Sequence, residues 1–204
     1  MRVLVTREEL VARVEALGHD AILCELIRIE PLGDEPIDAR AYDWLVVTSR
    51  NGAHELARRG VTANRIAAIG PATAEALRSH RLRVDLVAAT HTQEGLRDEL
   101  PEGTALLAAA EGARRDVLDA DFLPLYRTVE LRPAVPDVDV ALLMSGSAAR
   151  ALAAAGARVP VVAIGPQTAA EARSAGLDVV AVAATHDLDG LVEAVRSIPW
   201  SSPS

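Results

Sequence analysis

The sequence predicts an α/β fold made of two similar parallel-sheet domains, and three observations support this. Short runs of Val, Ile, Leu and Ala alternate with segments whose apolar residues recur at helical spacing. The chain also repeats itself. Shifted by 95 residues, Asn64–Leu96 matches Val159–Leu191 at 17 of 33 positions without a gap. Finally, Pro-rich connections stand at matching points of the two halves, Pro31-Leu32-Gly33-Asp34-Glu35-Pro36 and Pro133-Ala134-Val135-Pro136-Asp137.

The elements follow in order. Arg2–Thr6 reads as an apolar strand. Glu9–Leu17 carries Leu10, Val14 and Leu17 on one helical face, and Gly18 ends it. Ala21–Ile29 reads as a second strand and Trp44–Thr48 as a third, the latter followed by a helix around Gly52–Arg59. Arg65–Ile69 is a fourth strand with a helix from Pro71 to Ser79, and Val84–Ala88 a fifth with a helix near Glu94–Leu100. The second half repeats the series. Val46-Val47-Thr48-Ser49 corresponds to Leu142-Leu143-Met144-Ser145, and a fainter echo pairs Val3–Pro31 with Ala105–Pro133. Strands this apolar are buried on both faces, as in parallel sheets flanked by helices.

A repeat of this length suits duplication of a domain rather than a solenoid. Pro101-Glu102-Gly103 is only a tight turn, whereas the Pro-rich segments have linker chemistry. The chain is therefore expected to cross between domains twice. One domain is then 37–132 and the other combines 1–31 with 138–198, against a simple division into 1–100 and 101–204. Pro199–Ser204 reads as a disordered tail.

Composition narrows the chemistry. The chain has 204 residues, half of them hydrophobic but only 2% aromatic, so the core must be aliphatic. The net charge is 21 − 29 = −8, which disfavours non-specific nucleic-acid binding. All 21 basic residues are Arg. Without Lys, neither Schiff-base chemistry nor a Walker A loop is possible. Cys24 is the only cysteine, so an internal disulfide or a cysteine zinc cluster is excluded. It sits in an apolar run and reads as a small core residue. No HxxxH, GxGxxG or GxSxG occurs, and no carboxylate cluster has metal spacing. No signal peptide and no apolar run of 18 residues is present, which points to a cytoplasmic protein with no membrane partner.

The residues left for chemistry cluster at strand-to-helix junctions. Gly70-Pro71-Ala72-Thr73 and Gly165-Pro166-Gln167-Thr168 place a threonine hydroxyl at a helix start, beside unpaired N–H groups that can hold an anion. Ser49, Ser145 and Ser147 occupy the corresponding junctions after the preceding strands. Each alone is an ordinary N-cap. Five at the carboxyl edge of duplicated parallel sheets point to a ligand cleft. His91 and His186 recur in Thr-His pairs before the last helices, where a structural role is the commoner one. Tyr126, in Leu125-Tyr126-Arg127-Thr128-Val129, lies on a strand leading to the second Pro-rich segment. Its phenol could donate a proton, or it could be an amphipathic edge-strand residue.

These motifs, in this order, resemble the uroporphyrinogen-III synthase family over nearly the whole chain, from about Arg2 to Val195. The resemblance rests on Val5-Thr6-Arg7, Val47-Thr48-Ser49-Arg50-Asn51, Ile69-Gly70-Pro71-Ala72-Thr73, Leu125-Tyr126-Arg127-Thr128, Met144-Ser145-Gly146-Ser147 and Ile164-Gly165-Pro166-Gln167-Thr168. It implies two flavodoxin/Rossmann-like α/β domains joined by a two-stranded connection, with a cleft between them. It implies a cyclising hydro-lyase that turns hydroxymethylbilane into uroporphyrinogen III, inverting the last pyrrole ring through a spiro intermediate. No metal and no organic cofactor is implied. The partners would be the linear tetrapyrrole and the preceding enzyme of the pathway, and the chain would act as a monomer. Tyr126 matches the residue that assists departure of the hydroxyl. Ser49, Thr73, Ser145, Ser147 and Thr168 match substrate-binding hydroxyls. Arg7, with Arg50 and Arg114, would make the local field positive despite the acidic net charge.

Two departures from the family pattern stand out. Glu8-Glu9 follows Arg7 where a Pro and a longer run are usual, and Ala108-Ala109-Ala110 stands where an Arg-Gly pair is common. A non-catalytic ligand-binding or sensor domain on the same fold is the main alternative, although no effector segment is visible. An unrelated two-domain transferase lacks its nucleotide fingerprint here.

Overall fold

A computed structural model describes residues 1–198; the expectation for Pro199–Ser204 lies outside the described residues. In chain order the strands are β1 (Arg2–Val5), β2 (Asp20–Leu23), β3 (Ile27–Pro31), β4 (Trp44–Val47), β5 (Ile66–Ala68), β6 (Leu86–Val87), β7 (Ala105–Ala110), β8 (Asp121–Glu130), β9 (Val140–Leu143), β10 (Val161–Ala163) and β11 (Val179–Val182). The helices are α1 (Val11–Glu15), α2 (Arg50–Arg59), α3 (Pro71–Ser79), α4 (Gln93–Glu99), α5 (Gly146–Ala154), α6 (Pro166–Ser174) and α7 (Leu188–Arg196). The chain divides into two compact units. One is Met1–Arg28 with 129–198, and the other is Ile29–Thr128.

In the first unit a sheet of order β11-β10-β9-β1-β2 is parallel throughout. Successive residues of its central strands enter different cores. Leu4, Ala141 and Leu143 pack with α5 and α6, while Val3, Val5, Val140 and Leu142 pack with Leu191 and Val195 of α7 and Val14 of α1. The uninterrupted apolar runs are thus explained by burial on both faces.

The second unit has the order β3-β8-β7-β4-β5-β6. Strands β5 to β8 and β4 pair in parallel, with the same division of faces. Leu45, Val47, Leu106 and Ala108 face α2 and α3, and Trp44, Val46, Leu107 and Ala109 face Leu96 of α4 and Leu118. Strands β3 and β8, neighbours in this sheet, contain the two points where the units divide.

Two sequence expectations need correction. Ala21–Ile29 is not one strand. β2 belongs to the first unit's sheet and β3 to the second's, with Cys24-Glu25-Leu26 between them. The linker contains no Gly or Pro to mark it, because Cys24 and Leu26 are themselves buried. The first helix is also shorter than its apolar spacing suggests. Glu8–Leu10 forms a 3-10 turn and α1 has only 5 residues. Arg7 stands at the N-cap of the 3-10 turn and makes no side-chain capping bond, while Gly18 ends the segment at φ +78. No described helix is long and apolar enough to cross a membrane.

Candidate functional site

In parallel sheets the carboxyl ends of the strands open onto helix N-termini, and these positions hold the candidate residues. In the Ile29–Thr128 unit, Ser49 follows β4 in extended conformation and caps α2: its Oγ accepts the Gly52 N–H at 3.0 Å. A Cβ on Gly52 would stand 3.3 Å from that same Oγ, a tight contact that asks the cap to give slightly.

Tyr126 reaches this cap through an irregularity in β8. Ala109 pairs with Pro124 but Ala110 pairs with Tyr126, so Leu125 is an extra residue in the ladder. Pro124 has no N–H to offer its neighbour, which favours a bulge at this point. The bulge breaks the alternation, and Leu125 and Tyr126 both join the core beneath α2 and α3. The Tyr126 hydroxyl then lies 2.8 Å from Ser49 Oγ, 77 residues away in sequence. Tyr126 is only 5% exposed. Burial raises its pKa above the ordinary phenol value, and hydrogen bonds from Ser49 and Asn51 act against that rise. Asn51 is a contact that the separate reading of Ser and Thr junctions misses; it sits in the first turn of α2 beside the cap. Pro124→Val, which restores a ladder donor, is expected to lower activity about tenfold by turning the phenol away, at a stability cost below about 1.5 kcal/mol. Parallel kinetics and urea unfolding would check this.

The duplicated Gly-Pro-x-Thr and Thr-His motifs meet in space. A Cβ on Gly70 would lie 3.0 Å from the His91 ring, and one on Gly165 would lie 3.1 Å from the His186 ring. Each histidine therefore rests on the N-cap of the helix whose third residue is Thr73 or Thr168. Neither glycine has a side chain to cap its helix, so the helix-start N–H groups carry no side-chain cap. Thr73 is 4% exposed and Thr168 7%.

In the other unit Ser145 caps α5, accepting the Ala148 N–H at 3.2 Å. Ser147 lies in the first turn of α5, 3.4 Å from the Arg150 guanidinium, which itself binds Glu130 and Glu171. Arg7 is half-buried after β1, and Arg50 is exposed at the first position of α2. Arg114 is already engaged: its guanidinium pairs with Glu94 and stands 3.9 Å from Asp116. It does not supply the uncompensated positive charge expected of it.

Tyr126 and Ser49 are thus in contact, and Thr73 shares their unit; Arg7, Ser145, Ser147 and Thr168 belong to the other. Among the described residues no group of three or more His, Cys, Asp or Glu could hold a metal. A separate cavity of about 510 Å³, lined by Ile37, Tyr42, Leu106, Asp121 and Phe122, opens at the amino edge of the second unit's sheet.

Comparison with known proteins bears on the fold and the family. A crystal structure of a mutant uroporphyrinogen III synthase from Thermus thermophilus superposes with a TM-score of 0.65 at 17% identity, covering 96% of this chain and 97% of that one. This likeness is one of fold. A curated protein of Archaeoglobus fulgidus, named "Putative uroporphyrinogen-III synthase", is 29% identical over 97% of this chain and 99% of its own length. The family model described as uroporphyrinogen-III synthase HemD matches residues 8–193. Matched over that span, the chain belongs to the uroporphyrinogen-III synthase family.

Proposed function

We propose that the chain is a cyclising hydro-lyase that converts hydroxymethylbilane to uroporphyrinogen III. The observation that carries this reading is the buried Tyr126 phenol held against the N-cap of α2.

The chemistry asks for little covalent participation. The bilane is flexible, rich in carboxylates, and closes unaided to the type I isomer. An enzyme must fix its conformation and assist loss of its hydroxyl. The N–H groups without a side-chain cap at the starts of α3 and α6, with the Thr73 and Thr168 hydroxyls, suit substrate carboxylates. Ser145, Ser147 and Arg7 are proposed to do the same in their unit. Such donors grip an anion without lysine, and an acidic protein can thereby bind a polyanion.

Tyr126 acts as the general acid in this proposal. Because burial holds its pKa above that of an ordinary phenol, it stays protonated at neutral pH. As the C–O bond breaks, the phenol proton goes to the departing oxygen, which leaves as water. The pyrrole nitrogen supplies the electrons that stabilise the carbon left behind. The last ring attacks that carbon through its substituted position to give the spiro intermediate, which reopens and closes with the ring inverted. The proton released as that ring regains aromaticity returns to the phenolate, so the enzyme is unchanged. In the same proposal the chain works as a cytoplasmic monomer that receives the bilane from the enzyme preceding it.

The test is to feed enzymatically generated hydroxymethylbilane to the purified chain and resolve the isomers. Predominantly type III product is expected. Type I at the spontaneous rate would refute the reading.

A further inference from the structure

Ser49 differs from the other junction hydroxyls. Ser145 caps a helix and touches no aromatic hydroxyl, whereas Ser49 caps α2 and also holds the Tyr126 oxygen at 2.8 Å. A serine hydroxyl has one proton and two lone pairs. One lone pair of Ser49 accepts the Gly52 N–H, which leaves one proton and one lone pair for Tyr126.

That inventory permits two states. With a neutral phenol, Ser49 can accept from Tyr126. Once Tyr126 has given up its proton, only the reverse direction is possible, and the Ser49 O–H donates to the phenolate. Rotation of one hydroxyl makes the exchange, while the Gly52 N–H remains bonded to Oγ throughout. That N–H sits at the positive end of α2, a helix of 10 residues, and it polarises the Ser49 O–H as a donor. Tyr126 is almost wholly buried, so water cannot readily replace this donor. Asn51, in the first turn of the same helix, also acts against the rise in the Tyr126 pKa.

We propose that Ser49 is a positioning residue rather than a substrate contact. In this role it fixes the Tyr126 oxygen at the mouth of α2 and donates a hydrogen bond to the phenolate formed when the substrate hydroxyl leaves. The role in turnover rests on the function proposed above, but the link between Ser49 and Tyr126 does not.

Two tyrosines occur in the chain, so a Tyr42→Phe background leaves Tyr126 as the only one to titrate. In that background the near-ultraviolet tyrosinate signal is followed against pH for Ser49, Ser49→Gly, Ser49→Ala and Ser49→Thr. Glycine is nearly as good an N-cap as serine, which separates loss of the hydroxyl from loss of the helix start. The titration midpoint is expected to move up in Ser49→Gly and Ser49→Ala and to return in Ser49→Thr. In the chain with Tyr42 intact, kcat should fall about ten- to a hundredfold for Ser49→Gly with KM little changed. Added to Tyr126→Phe, Ser49→Gly should have no further effect on kcat. An unmoved midpoint in Ser49→Gly would overturn the proposal, as would a moved midpoint with full turnover, or a raised KM at constant kcat. If the wild-type chain makes no type III isomer, the functional reading fails, and the titration still decides whether Ser49 governs the phenol.

Discussion

Tyr126→Phe is expected to lower kcat by about a hundredfold at most, with KM and the proportion of type III isomer nearly unchanged. The ceiling follows from the chemistry. Hydroxymethylbilane loses its hydroxyl unaided, so a general acid speeds a feasible step, while orientation of the last ring rests on groups that the substitution leaves in place. Phenylalanine keeps the ring in the core formed with Leu125, Leu45 and Leu56, so stability should change by less than about 1.5 kcal/mol. The pH profile should change as well. Wild-type activity should fall at alkaline pH as the phenol ionises, at a pH above the ordinary phenol value because burial raises the Tyr126 pKa. The phenylalanine variant should lack that limb. Stability has a related pH dependence. Above the ordinary tyrosine pKa of about 10, the unfolded chain gives up protons that the folded chain retains. The folded state then binds more protons, so stability falls as pH rises through that range. Tyr42 adds to the effect, because its bond to Asp121 also raises its pKa. Stopped assays and urea unfolding across pH would measure both.

The largest stability losses are expected at Gly95 and Gly190. Both lie in the first turn of a helix, and replacing Gly by Ala in a helix normally helps by about 1 kcal/mol. Here the sign reverses. A Cβ on Gly95 would stand 2.1 Å from the Thr90 carbonyl oxygen, and one on Gly190 would stand 2.2 Å from Thr185 Oγ1 and 2.3 Å from the Thr185 carbonyl oxygen. Backbone must move in both cases, and the segments that would move carry His91 and His186 against Gly70 and Gly165. Destabilisation of about 2–4 kcal/mol is expected for each single variant by urea unfolding. Two variants more stable than wild type would show that these loops yield freely.

Much of the fold was legible in the sequence because its signals are local. Val3-Leu4-Val5 and Val46-Val47 read as buried parallel strands, since each neighbouring residue must find a different core. Pro71 and Pro166 marked helix starts because their missing N–H groups are harmless there. The division of Ala21–Ile29 was not legible, because Cys24 and Leu26 are as apolar as a strand interior. Candidate residues stood out one by one, but not the contacts between them. The order of motifs marked Ser49 and Tyr126 separately, yet their contact depends on a bulge at Leu125 that only Pro124 hints at. The meeting of His91 with Gly70 was hidden for a similar reason: repetition of two motifs does not say that they touch.

The central claim of the proposed function is that tetrapyrrole carboxylates are held at a sheet's carboxyl edge by helix-start amides and hydroxyls. Backbone amide NMR of the chain, titrated with uroporphyrin III as a stable relative of the product, tests this most directly. The amides of Ala72, Thr73, Gln167 and Thr168, at the two helix starts without a side-chain cap, should shift saturably. Shifts confined to the amino-edge cavity around Tyr42 and Asp121, with those four amides unmoved, would contradict it.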